Sequence, residues 1–328
     1  MFAGRFSARR KVEIIEVPDA KLSADEPGQI LFRPELTCLC GSDLPFFDGD
    51  FEGHEIPYPS QDGKSLHEMI GTVLETNGTK FSAGQRVLAV PLQQLGFFEY
   101  FALTEDRAIP LDDRVPDEEA LLAQPFGTVL FALKKLPNMI DKDVVVVGQG
   151  PIGQMFNAGL RNMGARNIVG VDVLLQRLGA SKAMGATHTI CSAENNPADE
   201  LSRILNGGSP DVVIEAVGHR AQALNLCVEL CGYGSTLLYF GVPPETIDGI
   251  RWKVALHKNL KIQTSVHPDF NRDFPIALQW IAERRVNLRP LLTHRFKLDQ
   301  IQEAFDIFRD RTDGAQKVLV EFPALSSA

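Results

Sequence analysis

Apolar runs of two textures divide the chain. Up to about residue 123 the β-branched and aromatic stretches are short and cut by Gly and Pro, as at 71–75, 86–91 and 97–103. That spacing predicts a mostly antiparallel β domain. From about Leu133 apolar strands alternate with helical patterns, the strands reading 143–147, 167–172, 186–191, 212–216, 235–240 and 260–265. Such alternation predicts a doubly wound parallel sheet. Near His267 the texture changes again to a helix at 273–284, a strand at 291–296, a helix at 298–309 and a last strand at 316–322. A short tail beyond a finished parallel sheet predicts a return to the first domain, leaving a cleft between the two.

A length of 328 residues exceeds one simple core and implies two domains. The 44% hydrophobic and 23% charged content is that of a globular protein. No apolar stretch approaches the roughly 20 residues that span a bilayer, so no membrane partner is expected. The opening Met1-Phe2-Ala3-Gly4-Arg5 lacks the apolar core of a secretory signal. A net charge of −9 with no basic run argues against nucleic acid as a partner. The five cysteines are odd in number and irregular in spacing, a reduced, cytoplasmic pattern. No Cys-x-x-Cys pair is present, so a four-cysteine structural zinc site is not expected.

The run 143–147 leads into Gly148-Gln149-Gly150-Pro151-Ile152-Gly153, and Asp172 ends the next apolar run. This reads as a strand, a Gly-x-Gly-x-x-Gly turn, a helix and a second strand tipped by a carboxylate. Gly148 permits the tight turn, Gly150 lets backbone approach a pyrophosphate, and Gly153 lets the helix pack on the strand. Pro151 and Ile152 open the helix, whose N-terminal N–H groups and dipole favour phosphate. Asp172 stands about 20 residues past the turn, where a carboxylate accepts from adenosine ribose hydroxyls. It would repel a 2′-phosphate, and the first base after it is Arg177, placed to lie over an adenine. The expected cofactor is therefore NAD in preference to NADP. The bland alternative is a glycine turn in some other parallel sheet.

Cys40-Gly41-Ser42-Asp43 and Leu66-His67-Glu68-Met69-Ile70-Gly71 offer a thiolate and an imidazole from separate loops. With one more acceptor they suit tetrahedral zinc that keeps a position open for catalysis. Asp43 is placed to accept the second N–H of a metal-bound imidazole. A Cys and a His so far apart are more often a buried thiol and a satisfied core histidine, so spacing leaves both readings open. Gly53-His54-Glu55 imitates the second motif, but the Ile56-Pro57-Tyr58-Pro59 that follows reads as a loop. His294 reads as structural, and Glu283-Arg284-Arg285 as a solvated helix end. Phe46, Phe47, Phe97 and Phe98 read as mostly core.

Taken in chain order, Cys40-Gly41-Ser42-Asp43, His67-Glu68 with Gly71 and Val73, Gly84 with Arg86-Val87, Phe97-Phe98-Glu99-Tyr100 and Gly148 to Gly153 form one series. Val286-Asn287-Leu288, Pro290-Leu291, Thr293-His294-Arg295-Phe296 and Glu303-Ala304-Phe305 complete it. In this series the sequence resembles the medium-chain dehydrogenase/reductase family, and its C-terminal stretch is similar to the sorbitol-type polyol dehydrogenases. The resemblance implies an α/β fold: a Rossmann doubly wound parallel sheet at 124–266 and a GroES-like, mostly β catalytic domain at 1–123. Residues 267–328 would complete the catalytic domain, with the active site between the two. It implies that Cys40 and His67 bind a catalytic zinc, that Glu68 lies beside the metal, and that Ser42 relays the substrate proton. Thr128 would support the nicotinamide.

Four departures from the family pattern qualify this. Ala123-Gln124-Pro125 carries an amide where polyol and threonine dehydrogenases carry an acid, so Gln124 or Glu68 is expected as third ligand. Leu66 replaces a usual glycine, and Pro45 a usual proton-passing histidine. The cysteine-rich lobe is missing, since residues 91–96 lead straight into Phe97; one catalytic zinc and no structural zinc is the expectation. The implied activity is hydride transfer between NAD and a secondary alcohol, polyol or sugar-like. The alternatives are a zinc-free NAD(P)H reductase of the same fold and a non-catalytic dinucleotide-binding protein. The resemblance also implies a homodimer or homotetramer, joined near the parallel sheet's open edge, which 235–240 is expected to approach.

Overall fold

The computed structural model describes residues 1–51, 54–218 and 221–324. Packing divides the chain into two compact units. The first comprises Met1–Gln124, Phe270–Ala282 and Leu292–Ala328, and the second Pro125–Asp269 and Glu283–Leu291.

The first unit is built on a seven-stranded sheet. Six strands run in the spatial order Leu292–Lys297, Lys317–Glu321, Gln29–Cys38, Glu68–Thr76, Arg86–Ala89, Ala108–Pro110, and Phe101–Thr104 pairs with Gln29–Cys38. All pairings are antiparallel except Leu292–Lys297 with Lys317–Glu321. The expected strand at 97–103 begins only at Phe101. The preceding peptides bond elsewhere: Phe97 N–H donates to Gly63 O and Gly4 N–H to Phe97 O. Phe6, Phe47 and Phe305 form the heart of the core, their ring centroids 5.0–6.0 Å apart. Burying each such ring stabilises by about 1.5–3 kcal/mol relative to exposure.

Phe305 comes from the helix Ile301–Asp310, which buries Ile301, Ala304, Phe305 and Phe308 along one face. Spacing of i, i+3, i+4, i+7 is what a helix needs to lay one stripe on a core. It starts three residues later than the pattern predicts, because Leu298–Gln300 forms a 3₁₀ turn. Arg311, in the left-handed region at φ 55°, ends it.

The second unit holds a six-stranded parallel sheet in the order His188–Cys191, Asn167–Asp172, Asp143–Val147, Val212–Glu215, Thr236–Tyr239, Lys261–Thr264. Asp143–Val147 is buried throughout, as a strand covered on both faces requires. The third strand starts at His188 and not at 186, because Ala186 N–H closes the preceding helix onto Ser181 O. Thr236–Tyr239 lies next to the end of the sheet: Lys261–Thr264 pairs with it and carries the open edge on that side. Among the described residues no helix is long and apolar enough to cross a membrane.

Candidate functional site

Cys40 precedes a one-turn 3₁₀ helix, Gly41–Asp43, at the end of the strand Gln29–Cys38. Asp43 is fully buried and joins two loops. Its Oδ2 accepts from Cys40 N–H at 2.8 Å, and its Oδ1 accepts from Ser65 Oγ at 2.9 Å and Leu66 N–H at 3.1 Å. Ser65 and Leu66 are both left-handed, at φ 95° and 61°. That conformation costs a side-chain-bearing residue about 1–2 kcal/mol, a cost that glycine in place of Leu66 would avoid. The carboxylate holds this bend, and the bend delivers His67.

His67 Nδ1 lies 3.5 Å from Asp43 Oδ1, within ion-pair reach but without hydrogen-bond geometry, while Nε2 lies 3.4 Å from Ser42 Oγ. Burial opposes protonation of the imidazole, but the Cys40 sulfur charge and the Asp43 carboxylate outweigh it and hold the pKa well above its ordinary value. Burial likewise opposes ionisation of Asp43, but the His67 ring beside it and the hydrogen bonds donated by Cys40 N–H and Ser65 Oγ outweigh that and lower its pKa. The pocket therefore favours positive charge between these groups. By contrast burial pushes the Cys38 thiol well up, so Cys38 behaves as a protonated core residue.

Ligand atoms of Cys40, His67 and Glu68 all lie within 4.8 Å of one another, and this is the cluster of metal-ligand type found among the described residues. Tetrahedral zinc with bonds of about 2.0–2.3 Å separates its ligands by about 3.3–3.8 Å, so small rotations close the set on a metal. Thiolate plus imidazole is also the donor pairing zinc prefers. The residues fit the ion.

Glu68 is already engaged. Lys317 Nζ donates to both its oxygens, at 2.7 and 2.5 Å, and neither side chain reaches solvent. Burial alone would discharge the lysine, yet Glu68 outweighs it and raises its pKa far above the ordinary value. Sequence reasoning did not find Lys317. The available signal was a lysine within an apolar strand, which needs a partner to be buried. Gln124 is buried in the first turn of the helix Ala123–Leu133. Gly53 lies outside the described residues, and His54 is exposed in a two-residue strand. His294 stacks on Phe296 within the sheet edge. Glu283, Arg284 and Arg285 follow the helix end at Ala282.

In the second unit Gly148, at φ 95°, follows the strand Asp143–Val147, and Gly150 caps the helix Pro151–Asn162 with Pro151 in its first turn and Ile152 next. A Cβ on Gly153 would fall 1.8 Å from Gly148 O, so only glycine permits this helix–turn contact. Asp172 sits at the tip of the neighbouring strand. Its carboxylate accepts from Gln149 N–H at 2.7 Å and Leu174 N–H at 2.9 Å, with Arg177 Nη1 at 3.5 Å. Arg177 also flanks Gly150, 3.6 Å from where a Cβ would be. This cradle fits a dinucleotide pyrophosphate with a carboxylate beside it. Thr128 Oγ donates to Pro125 O at 2.6 Å, inside its own helix.

Comparison with known proteins now adds to this geometry. Residues 26–113 match the alcohol dehydrogenase GroES-like domain, and residues 151–283 match the zinc-binding dehydrogenase family. The chain belongs to the zinc-type medium-chain dehydrogenase/reductase family. Its members among curated proteins include L-threonine 3-dehydrogenase of Vibrio parahaemolyticus, 27% identical over 89% of this chain and 91% of that one. The L-threonine 3-dehydrogenase of Aeromonas hydrophila is 28% identical over 91% and 93%. The fold matches an alcohol dehydrogenase from Thermus sp. ATN1 (TM-score 0.85, 22% identity, covering 98% and 100%). It equally matches galactitol-1-phosphate dehydrogenase from Escherichia coli (TM-score 0.85, 20% identity, 98% and 100%). As a zinc-type medium-chain dehydrogenase/reductase the chain is an oxidoreductase, with a Rossmann-like second unit and a GroES-like first unit.

Proposed function

We propose that the protein is a zinc-dependent dehydrogenase that oxidises a secondary alcohol with NAD. The observation that carries this reading is the convergence of Cys40, His67 and Glu68 within 4.8 Å, with Ser42 Oγ 3.4 Å from the His67 ring. Cys40 and His67 would hold the zinc, with Gln124 or Glu68 as third ligand. When bound, zinc polarises the substrate oxygen and NAD accepts the hydride. Ser42 takes the hydroxyl proton. Asp43 orients the imidazole and presents its Nε2 side to the metal. Pro45 cannot pass a proton, so water or another side chain must carry it onward from Ser42. Gly148, Gly150, Pro151, Ile152 and Gly153 would cradle the pyrophosphate, Asp172 the ribose, and Arg177 the adenine, with Thr128 beneath the nicotinamide.

The substrate belongs to secondary alcohols of the polyol or sugar-like kind. L-Threonine, whose 3-hydroxyl is a secondary alcohol, belongs in the same panel because the curated relatives carry that activity in their names. The test is a panel of polyols, sugars, amino alcohols and L-threonine with NAD, read as NADH absorbance at 340 nm, alongside elemental analysis. About one zinc per chain, and loss of both zinc and turnover in Cys40→Ala with NADH binding retained, is the expected result. Turnover by a protein without zinc would replace this reading with the zinc-free reductase. NADH binding without turnover of any alcohol would favour a non-catalytic binding protein.

We also propose a homodimer or homotetramer, paired along Lys261–Thr264. Its unpaired edge invites another strand, and Trp252, Leu256 and Ile262 beside it are 58%, 73% and 43% exposed. Light scattering should give a dimeric or tetrameric mass, and Leu256→Glu should lower it. A monomeric mass for the unaltered protein sinks this proposal.

A further inference from the structure

We propose that Glu215 is a positioning residue for the nicotinamide half of the dinucleotide site. It ends the strand Val212–Glu215 and is fully buried. Its Oε1 accepts from Val217 N–H at 3.0 Å and Gly218 N–H at 2.9 Å, and its Oε2 accepts from Gly241 N–H at 3.1 Å. One carboxylate therefore ties the loop that leaves its own strand to the loop that leaves the neighbouring strand Thr236–Tyr239. The two backbones touch: a Cβ on Gly241 would fall 2.2 Å from Gly218 N.

These loops lie where a ligand belongs. The chain leaves Asp143–Val147 toward one side of the sheet, then returns to lay Val212–Glu215 on its other side. In open parallel sheets ligands bind at the carboxyl ends of strands where the order reverses in this way. The loop after Glu215 also abuts the glycine turn. A Cβ on Gly148 would fall 2.8 Å from both Ala216 O and Val217 Cγ2. Val217 and Val242, carried on the two tied loops, remain 44% and 55% exposed. A buried charge spent on three backbone donors, presenting two exposed apolar side chains beside a pyrophosphate cradle, is suited to a flat, mostly apolar ring. Loss of such a clamp would free the two loops, while Asp172, on the strand across Asp143–Val147 from Glu215, keeps its place beside the adenosine half.

This inference rests on the dinucleotide reading above, so its test separates the two halves of the cofactor. NADH and ADP-ribose, which lacks nicotinamide, are titrated by calorimetry into the zinc-loaded parent, Glu215→Gln and Val217→Ser/Val242→Ser. Glu215→Gln should weaken NADH by about tenfold, the scale of one lost hydrogen bond to a charged group, and leave ADP-ribose within about twofold. Zinc content should not change. The double valine variant should show the same selective loss, and it decides the matter where Glu215→Gln fails to fold. Parallel weakening of both ligands, or no weakening of NADH, overturns the role of Glu215. Failure of the parent to bind ADP-ribose overturns the dinucleotide reading instead.

Discussion

Lys317 places its ammonium on both carboxylate oxygens of Glu68, at 2.7 and 2.5 Å, in a region closed to water. Glu68 is thereby held beside Cys40 and His67 with its charge already neutralised. Any metal it helps to hold shares this carboxylate with Lys317. We predict that Lys317→Met, which leaves an uncompensated buried carboxylate, destabilises the fold by about 3–5 kcal/mol. Adding Glu68→Gln should recover most of that. Urea denaturation of the two variants checks it, and equal loss in both would show that the pair contributes through packing alone.

Leu66 sets two effects against each other. Its left-handed backbone favours glycine, yet its side chain is fully buried in the core. Removing a buried leucine costs about 2–5 kcal/mol, whereas relieving the backbone returns only about 1–2 kcal/mol. Both Leu66→Gly and Leu66→Ala should therefore be less stable than the parent. Alanine keeps the strain and loses the side chain, so it should be no more stable than glycine. Thermal midpoints would contradict this if alanine were clearly the better of the two.

Asp172 spends its carboxylate on Gln149 N–H and Leu174 N–H as well as facing Arg177. We predict that Asp172→Ala weakens NADH and narrows the preference over NADPH, since it removes both a ribose acceptor and the charge that repels a 2′-phosphate. Fluorescence titration with each nucleotide measures this. A parent protein that binds NADPH as well as NADH would refute the premise.

Asp143, at the start of the central parallel strand, is held below its ordinary pKa chiefly by the Arg166 guanidinium, which donates to it at 2.6 and 3.0 Å. A depressed folded pKa means stability present above the unfolded value of about 3.9 and lost as pH falls through the folded one. Asp143→Asn should thus be less stable than the parent at neutral pH, with the gap closing only below about pH 4. Urea midpoints across that range test the sign; a gap that closes on raising the pH would reverse it.

The local elements were legible because each rests on neighbours in the chain. Asp143–Val147 and Asn167–Asp172 begin and end where the apolar runs do. The Gly148–Gly153 turn follows from backbone sterics that glycine alone satisfies. Cys40, Ser42 and His67 could be named from short motifs, although the motifs could not say that Asp43 would tie their loops together.

What the tertiary structure decided are the pairings between residues far apart in sequence. Lys317 meets Glu68 across 249 positions, and a buried charge has no meaning until its partner is placed. Glu215 looks like one polar residue ending an apolar strand, and only the neighbouring strand brings Gly241 to its second oxygen. Which strand is an edge is likewise invisible to a local pattern. Thr236–Tyr239 and Lys261–Thr264 are equally short, and sheet order alone leaves the latter open. Hydrophobic periodicity encodes which face a residue buries; the identity of what it is buried against is set by how the whole chain closes.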